Sequence, residues 1–198
     1  MTKVIAITGG IGSGKTTLSN HLKKTGFFVH ESDKVVSEIY SHPSKIFIDL
    51  IKNNISRKAV HKDKINKKEI INIIFTNQTA KRIIEKHIHE EVRASREKFI
   101  KKYTKEKEKT IFVDIPLLFE KKLEKKFDFV VCIISSKKNR ITRVLKNKKF
   151  SIKTLNKILK LQTTDKERRK RSQIIINNNK TKKDFIFDVE KTLIGVVK

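Results

Sequence analysis

The chain has 198 residues, of which 48 are Lys or Arg and 21 are Asp or Glu, so the formal net charge is +27. This length suits one domain, or a core that carries an insertion, with room for a substantial hydrophobic core. No apolar run approaches the roughly 18 residues of a membrane-spanning helix, and no signal peptide is expected before the apolar run at 4–8. We therefore expect a cytoplasmic protein with no membrane partner.

The basic charge has two possible explanations. It could attract nucleic acid or another polyanion. However, Lys is spread over almost every segment together with Ile and Asn, and no basic segment carries regularly spaced aromatic residues for base stacking. A bias of the whole composition is therefore favoured, and nucleic acid is not expected to be an obligate partner.

The single cysteine, Cys132, lies in the apolar run FVVCII. One cysteine excludes an intramolecular disulfide. Of the two remaining roles, a nucleophile or a buried thiol on a strand, the apolar run favours the buried thiol, in a reducing compartment.

Short apolar runs alternate with segments of helical periodicity along the chain. Strands are predicted, in order, at 4–8, 27–30, 110–115, 127–134 and 172–178. Helices are predicted from Lys15 to Gly26, at 33–40, 43–51, 66–75, 79–103, 137–149 and 152–162, and from Thr181 onward. Residues 52–66 are polar and basic and are predicted to form turns. Strands separated by helices indicate an α/β fold with a parallel five-stranded sheet, in which the second strand is expected beside the first.

The segment GGIGSGKTT, residues 9–17, satisfies the pattern G-x-x-x-x-G-K-[ST] between a predicted strand and a predicted helix. Backbone N–H groups from Gly10 to Lys15 are expected to face phosphate oxygens, and Lys15 to reach the β- and γ-phosphates of ATP. The Thr16 hydroxyl is expected to bind Mg²⁺. The alternative is a glycine-rich turn with a chance Lys-Thr pair. The complete set of expected ATP-binding residues in this segment is Gly10, Ile11, Gly12, Ser13, Gly14, Lys15, Thr16 and Thr17.

Other phosphate-binding classes are disfavoured. No G-x-G-x-x-G of a dinucleotide site is present, and the sequence has no evident NKxD or DxxG segment of a GTPase. A short chain with a helical insert after the second strand fits a small-molecule kinase best.

Two carboxylates follow predicted strands. Phosphoryl transfer to a hydroxyl needs a carboxylate near the acceptor, and Asp33, after the second strand, is the candidate for this catalytic role beside Lys15. Its alternative role is that of a helix N-cap. Asp114 could hold Mg²⁺ through water or merely satisfy the end of its strand.

The combination of ITGGIGSGKTT, Asp33 and IPLLFE (115–120) resembles the dephospho-CoA kinases, from about Val4 to Asn179. The resemblance implies a P-loop kinase core at about 1–35 and 108–198, a helical insert at about 36–107 that binds the acceptor, and a lid at about 137–172. It also implies ATP and Mg²⁺ as cofactors, dephospho-CoA as the small-molecule substrate and coenzyme A as the product. A monomer is expected.

The resemblance also assigns residues. Asp33 matches the catalytic acid of the family, His89 the histidine that binds the CoA moiety, and Arg143 an ATP-binding arginine of the lid. Gln162 matches the glutamine that ends the helix after the lid helix, and Asn178 matches the asparagine after the last strand. The segment beside the acceptor matches Pro116, Leu117, Leu118 and Glu120.

The chain departs from the family pattern at several positions. Glu90 follows the histidine where proline is usual, and Lys68 stands in place of an arginine. The arginine-aspartate pair of the lid falls on Asn147 and Lys148, so that one ATP-facing arginine is missing. Asn177 precedes Asn178 where aspartate is usual. The P-loop and Asp33 are retained, and the activity is therefore expected.

Simpler roles stay open for the other polar residues. His89 could be a half-buried helix histidine, and the basic residues of 137–171 could form a solvated face. Closing over ATP phosphates is nevertheless plausible for Arg140, Arg143 and Arg168, because a guanidinium suits phosphate oxygens. Two other functions compete with the family's: another small-molecule or nucleotide kinase, and a nucleic-acid-binding P-loop ATPase.

Overall fold

A computed structural model describes residues 1–147 and 151–197. Seven strands occur in this part of the chain: β1 (Lys3–Gly9), β2 (Phe28–Glu31), β3 (Val60–His61), β4 (Lys64–Ile65), β5 (Thr110–Asp114), β6 (Phe129–Ile134) and β7 (Ile174–Asn177). The helices of the same residues are α1 (Lys15–Lys24), α2 (Ser32–Ser41), α3 (Lys45–Asn54), α4 (Lys67–Thr76), α5 (Gln78–Lys105), α6 (Lys137–Lys146), α7 (Ile152–Leu161), α8 (Asp165–Lys170) and α9 (Lys182–Val197). None of these helices is both long and apolar enough to cross a membrane.

The chain divides into two compact units. The first comprises Met1–Glu31 and Ile100–Lys198, and the second comprises Ser32–Phe99. The first unit contains a five-stranded sheet in the order β2-β5-β1-β6-β7, with all neighbours parallel. The predicted parallel five-stranded sheet is thus confirmed.

The predicted neighbour of β2 is wrong. β2 pairs with β5, which lies between β2 and β1. The 78 residues between β2 and β5 let the chain return to any free edge, and adjacency in sequence therefore did not determine adjacency in the sheet. The carboxyl ends still share one edge, where Glu31 is in register with Asp114 and Gly9 with Ile133.

Two clusters of buried residues flank the sheet. In one, Ile5, Ile7 and Phe112 pack with Leu18 of α1 and Phe185 of α9, all at most 2% exposed. In the other, Ala6 and Val113 pack with Leu118, Phe119 and Val130. Central strands buried on both faces explain why β1, β5 and β6 are continuous apolar runs rather than alternating ones.

The second unit is mainly helical. Its core contains Phe47 and Ile51 of α3, Ile70 of α4 and Ile84 of α5. Residues 52–66, predicted as turns, contain the last residues of α3, a short 3₁₀ helix and the antiparallel pair β3–β4, which is separate from the central sheet. Strands of two residues are too short to show an alternating hydrophobic pattern, so β3 and β4 could not be predicted from the sequence. In the turn between them, Lys62 and Asp63 have positive φ.

Several helix boundaries differ from prediction. α3 starts at Lys45 rather than Pro43, because the Ser44 hydroxyl accepts the Phe47 N–H and so caps the helix. α6 ends at Lys146. Residues 148–149, which were predicted to continue this helix, lie outside the described residues, and so does Lys148 as the second position of the lid's arginine-aspartate pair. α8 was not predicted at all.

Cys132 is fully buried on β6, and burial raises the pKa of its thiol to about 11. The thiol is therefore protonated at neutral pH and shielded from reagents, which supports the structural role. We expect no reaction of native protein with a disulfide reagent such as DTNB at pH 8, and one thiol per chain after denaturation. Rapid labelling of the native protein would contradict this burial.

Candidate active site

Glycines shape the loop between β1 and α1. Gly9, Gly12 and Gly14 have φ of 148°, 73° and 116°, values that residues with a side chain rarely adopt. A Cβ at Gly9 would collide with the carbonyl oxygen of Ile133 on β6, and one at Gly14 with the side-chain amide of Asn178. The glycines are thus required both by backbone conformation and by the close approach of neighbouring atoms.

We expect Gly14→Ala to destabilise the protein by about 1–3 kcal/mol, because it adds strain at positive φ and displaces the amide of Asn178. Gly26→Ala is the matched control, since Gly26 also has positive φ, at 92°, but has no atom near the position of a new Cβ. Denaturant unfolding of the two variants checks the prediction. An equal loss of stability in both would show that contact with Asn178 contributes nothing.

Polar contacts from β7 and α6 brace the loop. The Asn178 side chain donates to the Ser13 carbonyl at 2.7 Å. The Arg143 guanidinium donates to the Asn178 side-chain oxygen at 3.1 Å, to its backbone oxygen at 3.0 Å, and to the Ser135 hydroxyl at 3.1 Å. Arg143, predicted to bind ATP, is therefore engaged with protein atoms that hold the loop in shape.

Several hydrogen-bond donors of the loop already bond to protein atoms. Lys15 Nζ donates to the Gly9 carbonyl at 2.9 Å, across the loop. Of the N–H groups predicted to face phosphate, that of Ile11 donates to the Gln162 side chain at 3.0 Å and that of Ser13 to the Gly10 carbonyl at 3.1 Å. The remaining N–H groups at the start of α1 belong to the first helical turn, where backbone donors lack intrahelical partners. Such a terminus favours an anion.

The geometry of the loop fits a phosphate group. The space that a Cβ would fill at Gly10 is taken by the guanidinium of Arg140, so the loop lies beside a cation that suits a phosphate group. The Ser13 hydroxyl is buried and has no hydrogen-bond partner among the described residues. Thr16 is exposed at the first turn of α1, as a hydroxyl that binds a metal must be, and Thr17 follows it.

Asp114 lies at the end of β5 and is 8% exposed. Its Oδ2 accepts a hydrogen bond from Ser19 of α1 at 3.3 Å. The hydroxyl of Thr16 and this carboxylate are hard oxygen donors, the type that Mg²⁺ prefers. The donor set is therefore compatible with Mg²⁺, although no group of three His, Cys, Asp or Glu side chains arranged to hold a metal occurs in residues 1–147 and 151–197.

The segment predicted to lie beside the acceptor divides into exposed and buried residues. Leu117 is 41% exposed, and Pro116 is partly buried. Leu118 is fully buried in the core with Val113 and is a packing residue, and its predicted role in substrate binding stays a prediction. The Glu120 carboxylate accepts the N–H of Thr163 at 2.7 Å.

Asp33 and His89 belong to the second unit. Asp33 is exposed in the first turn of α2, two residues after the end of β2. Because α2 begins at Ser32, Asp33 is inside the helix and does not precede it, which weakens the N-cap alternative. His89 is exposed on α5 rather than half-buried. His87, two residues earlier, is the histidine that packs, stacked on Phe47 with ring centroids 4.6 Å apart.

A cavity of about 550 Å³ lies among α6, α7 and α8. Its lining residues are mostly polar or charged and include Arg140, Gln162, Asp165 and Arg168. Sequence reasoning singled out the two arginines and Gln162 but missed Asp165. The available signal was the capping pattern Thr164-x-x-Glu167, which marks the start of α8; the Thr164 hydroxyl accepts the Glu167 N–H at 3.3 Å.

The parallel sheet and the braced glycine loop define a P-loop kinase fold. The family model for dephospho-CoA kinase matches residues 3–184. The chain belongs to the dephospho-CoA kinase family.

Individual proteins agree with this assignment. The dephospho-CoA kinase of Fusobacterium nucleatum is 31% identical over 189 residues, covering 95% of each chain. That of Buchnera aphidicola is 35% identical over 182 residues, covering 91% of this chain and 85% of its own. A solved dephospho-CoA kinase from Campylobacter jejuni has a TM-score of 0.76 at 25% identity and covers 100% of this chain and 98% of its own. A shikimate kinase from Acinetobacter baumannii, at 14% identity, shares the fold with a TM-score of 0.56, covering 100% of this chain and 97% of its own.

Proposed function

We propose that this chain transfers the γ-phosphate of ATP to the 3′-hydroxyl of dephospho-CoA and so forms coenzyme A. The family match over residues 3–184 carries the proposal, because it spans the phosphate loop and both units of the chain. The braced loop supports it independently, since it leads into the N-terminus of α1, which favours an anion, and the guanidinium of Arg140 lies against Gly10.

The loop binds and orients the triphosphate. Lys15, which donates to the Gly9 carbonyl at 2.9 Å, would turn its ammonium to the β- and γ-phosphates. Thr16 and Asp114 would hold Mg²⁺, which neutralises phosphate charge when bound. Asn178 and Arg143 keep the loop in shape through Ser13 and Gly12, so that little reorganisation is needed when ATP binds.

Asp33 would orient the acceptor hydroxyl and accept its proton as the oxygen attacks the γ-phosphorus. The match of Asp33 to the catalytic acid of the family supports this role, since the family model covers the segment that contains it. His89, Pro116 and Leu117 would contact the CoA moiety. The expected lid, monomeric state and cytoplasmic location remain predictions.

A coupled assay of ADP release tests the choice of acceptor. Purified protein with ATP is offered dephospho-CoA, a set of nucleosides, or RNA. We expect turnover with dephospho-CoA alone. Turnover with a nucleoside instead would indicate another small-molecule kinase, and ATP hydrolysis stimulated by RNA, with strong salt dependence, would indicate the nucleic-acid-binding alternative.

A further inference from the structure

Four charged side chains form a cluster in the first unit beside the phosphate loop. Arg168 NH1 donates to Asp165 Oδ1 at 2.8 Å, and Arg140 NH2 lies 3.7 Å from Asp165 Oδ2. Arg168 NH2 lies 3.8 Å from Glu120 Oε1. Asp165 thus pairs with both arginines, and two carboxylates offset two guanidiniums.

The arginines of this cluster lie against the loop. A Cβ at Gly10 would collide with the guanidinium of Arg140 and come within 3.2 Å of Arg168 NH1. The same short segment that carries Asp165 also supplies Gln162, whose side-chain oxygen accepts the Ile11 N–H at 3.0 Å. Side-chain oxygens of Gln162 and Asp165 therefore accept hydrogen bonds from the Ile11 N–H and the Arg168 guanidinium. A backbone N–H and a guanidinium are also the groups that bind phosphate oxygens.

The cluster has more donors than acceptors. Arg168 is 2% exposed, yet its NH2 has no hydrogen-bond partner among the described residues, because 3.8 Å to Glu120 is too long for a hydrogen bond. Nε of Arg140, also buried, likewise has none there. Buried donors without acceptors are costly, and an additional anion within reach of the two guanidiniums would satisfy them.

We propose that Asp165 is an internal counter-anion, which holds Arg140 and Arg168 at the phosphate loop and is displaced from them by a phosphate group of the nucleotide. The ligand chemistry is that of a polyphosphate anion. Asp165 is then a positioning residue that competes with the nucleotide for the two guanidiniums. The proposal rests on the proposed function in that ATP is the nucleotide bound.

Asp165→Asn keeps the size of the side chain and removes its charge. Competition predicts that the variant binds ATP more tightly, by roughly two- to fivefold, the size usual for a partly exposed charge pair. Adenosine, which has no phosphate, should bind as it does to the wild type. The gain should shrink as salt is raised, since salt screens the interaction. A purely structural role of Asp165 predicts the opposite sign, because loosened arginines would bind ATP less well.

Isothermal titration calorimetry with ATP and with adenosine, without acceptor, gives these affinities. Glu167→Gln is the matched control: Glu167 is exposed on the same helix and pairs with Lys170 at 3.7 Å, so this variant should bind ATP as the wild type does. If Asp165→Asn does not fold, Arg140→Gln provides the test, since it should weaken ATP binding and leave adenosine binding unchanged.

The outcomes separate the two proposals. Unchanged or weaker ATP binding by folded Asp165→Asn overturns the counter-anion role while the proposed function stands. Wild-type affinity in Arg140→Gln overturns it as well. A wild-type protein that binds no ATP would overturn both.

Discussion

Replacing Lys15 with alanine is expected to abolish phosphoryl transfer while the protein stays folded. In this structure the ammonium of Lys15 contacts the Gly9 carbonyl, and the side chain is only partly buried. Its loss therefore removes little packing. A cation that offsets charge on the transferring phosphoryl group contributes mainly to the transition state, so we expect kcat to fall by about 10²–10³-fold or more.

Lys24→Ala is the matched control, because Lys24 is exposed in the last turn of the same helix. It should leave both kcat and stability near wild type. Circular dichroism and thermal unfolding establish that Lys15→Ala is folded before its kinetics are compared. A folded Lys15→Ala variant with unchanged kcat would refute the assignment of the phosphate loop.

Asp33→Asn is expected to lower kcat by about 10²–10⁴-fold, the usual contribution of a positioned general base, with little change in ATP affinity. Asparagine has nearly the same size but cannot take the proton. The free energy of unfolding should fall by only about 0.3–1 kcal/mol or less, because the variant loses the favourable interaction of a carboxylate with the first turn of α2 at an exposed position.

The structural alternative for Asp33 predicts a different pattern. If Asp33 only stabilised the start of α2, the substitution would change the free energy of unfolding slightly and leave kcat within a few-fold of wild type. Asp49→Asn, on the exposed face of α3, is the control for loss of one negative charge in the same unit. Measurements at saturating ATP and dephospho-CoA separate the two roles, and a near-normal kcat would remove Asp33 from the mechanism without affecting the phosphate loop.

The phosphate loop between β1 and α1 was predictable from sequence because the residues that determine its shape lie within the loop itself. Gly9, Gly12 and Gly14 are required by φ values within one loop, and the apolar run of β1 and the amphipathic start of α1 flank them directly. The parallel sheet followed in the same way from alternating strands and helices. Each inference used residues that are neighbours in sequence.

The missed features depend on long-range contacts. The order of β2 and β5 is set by tertiary packing, and the burial of Leu118 depends on Val113 and Val130 on two strands. Leu118 belongs to the segment that is predicted to contact substrate, and its burial could not be read from that segment alone. The capping pattern Thr164-x-x-Glu167 could have located the helix of Asp165, but the ion pairs of Asp165 with Arg140 and Arg168 are visible only in the structure.

Identifying the position of the transferred phosphate tests the proposed function most directly. Wild-type protein, ATP and dephospho-CoA are incubated, and the product is examined by ³¹P NMR with coupling to the ribose protons. We predict a new phosphomonoester resonance coupled to the 3′ proton of the ribose, formed in equal amount with ADP. Formation of ADP without this phosphomonoester, or a phosphate on another hydroxyl, would contradict the proposed function.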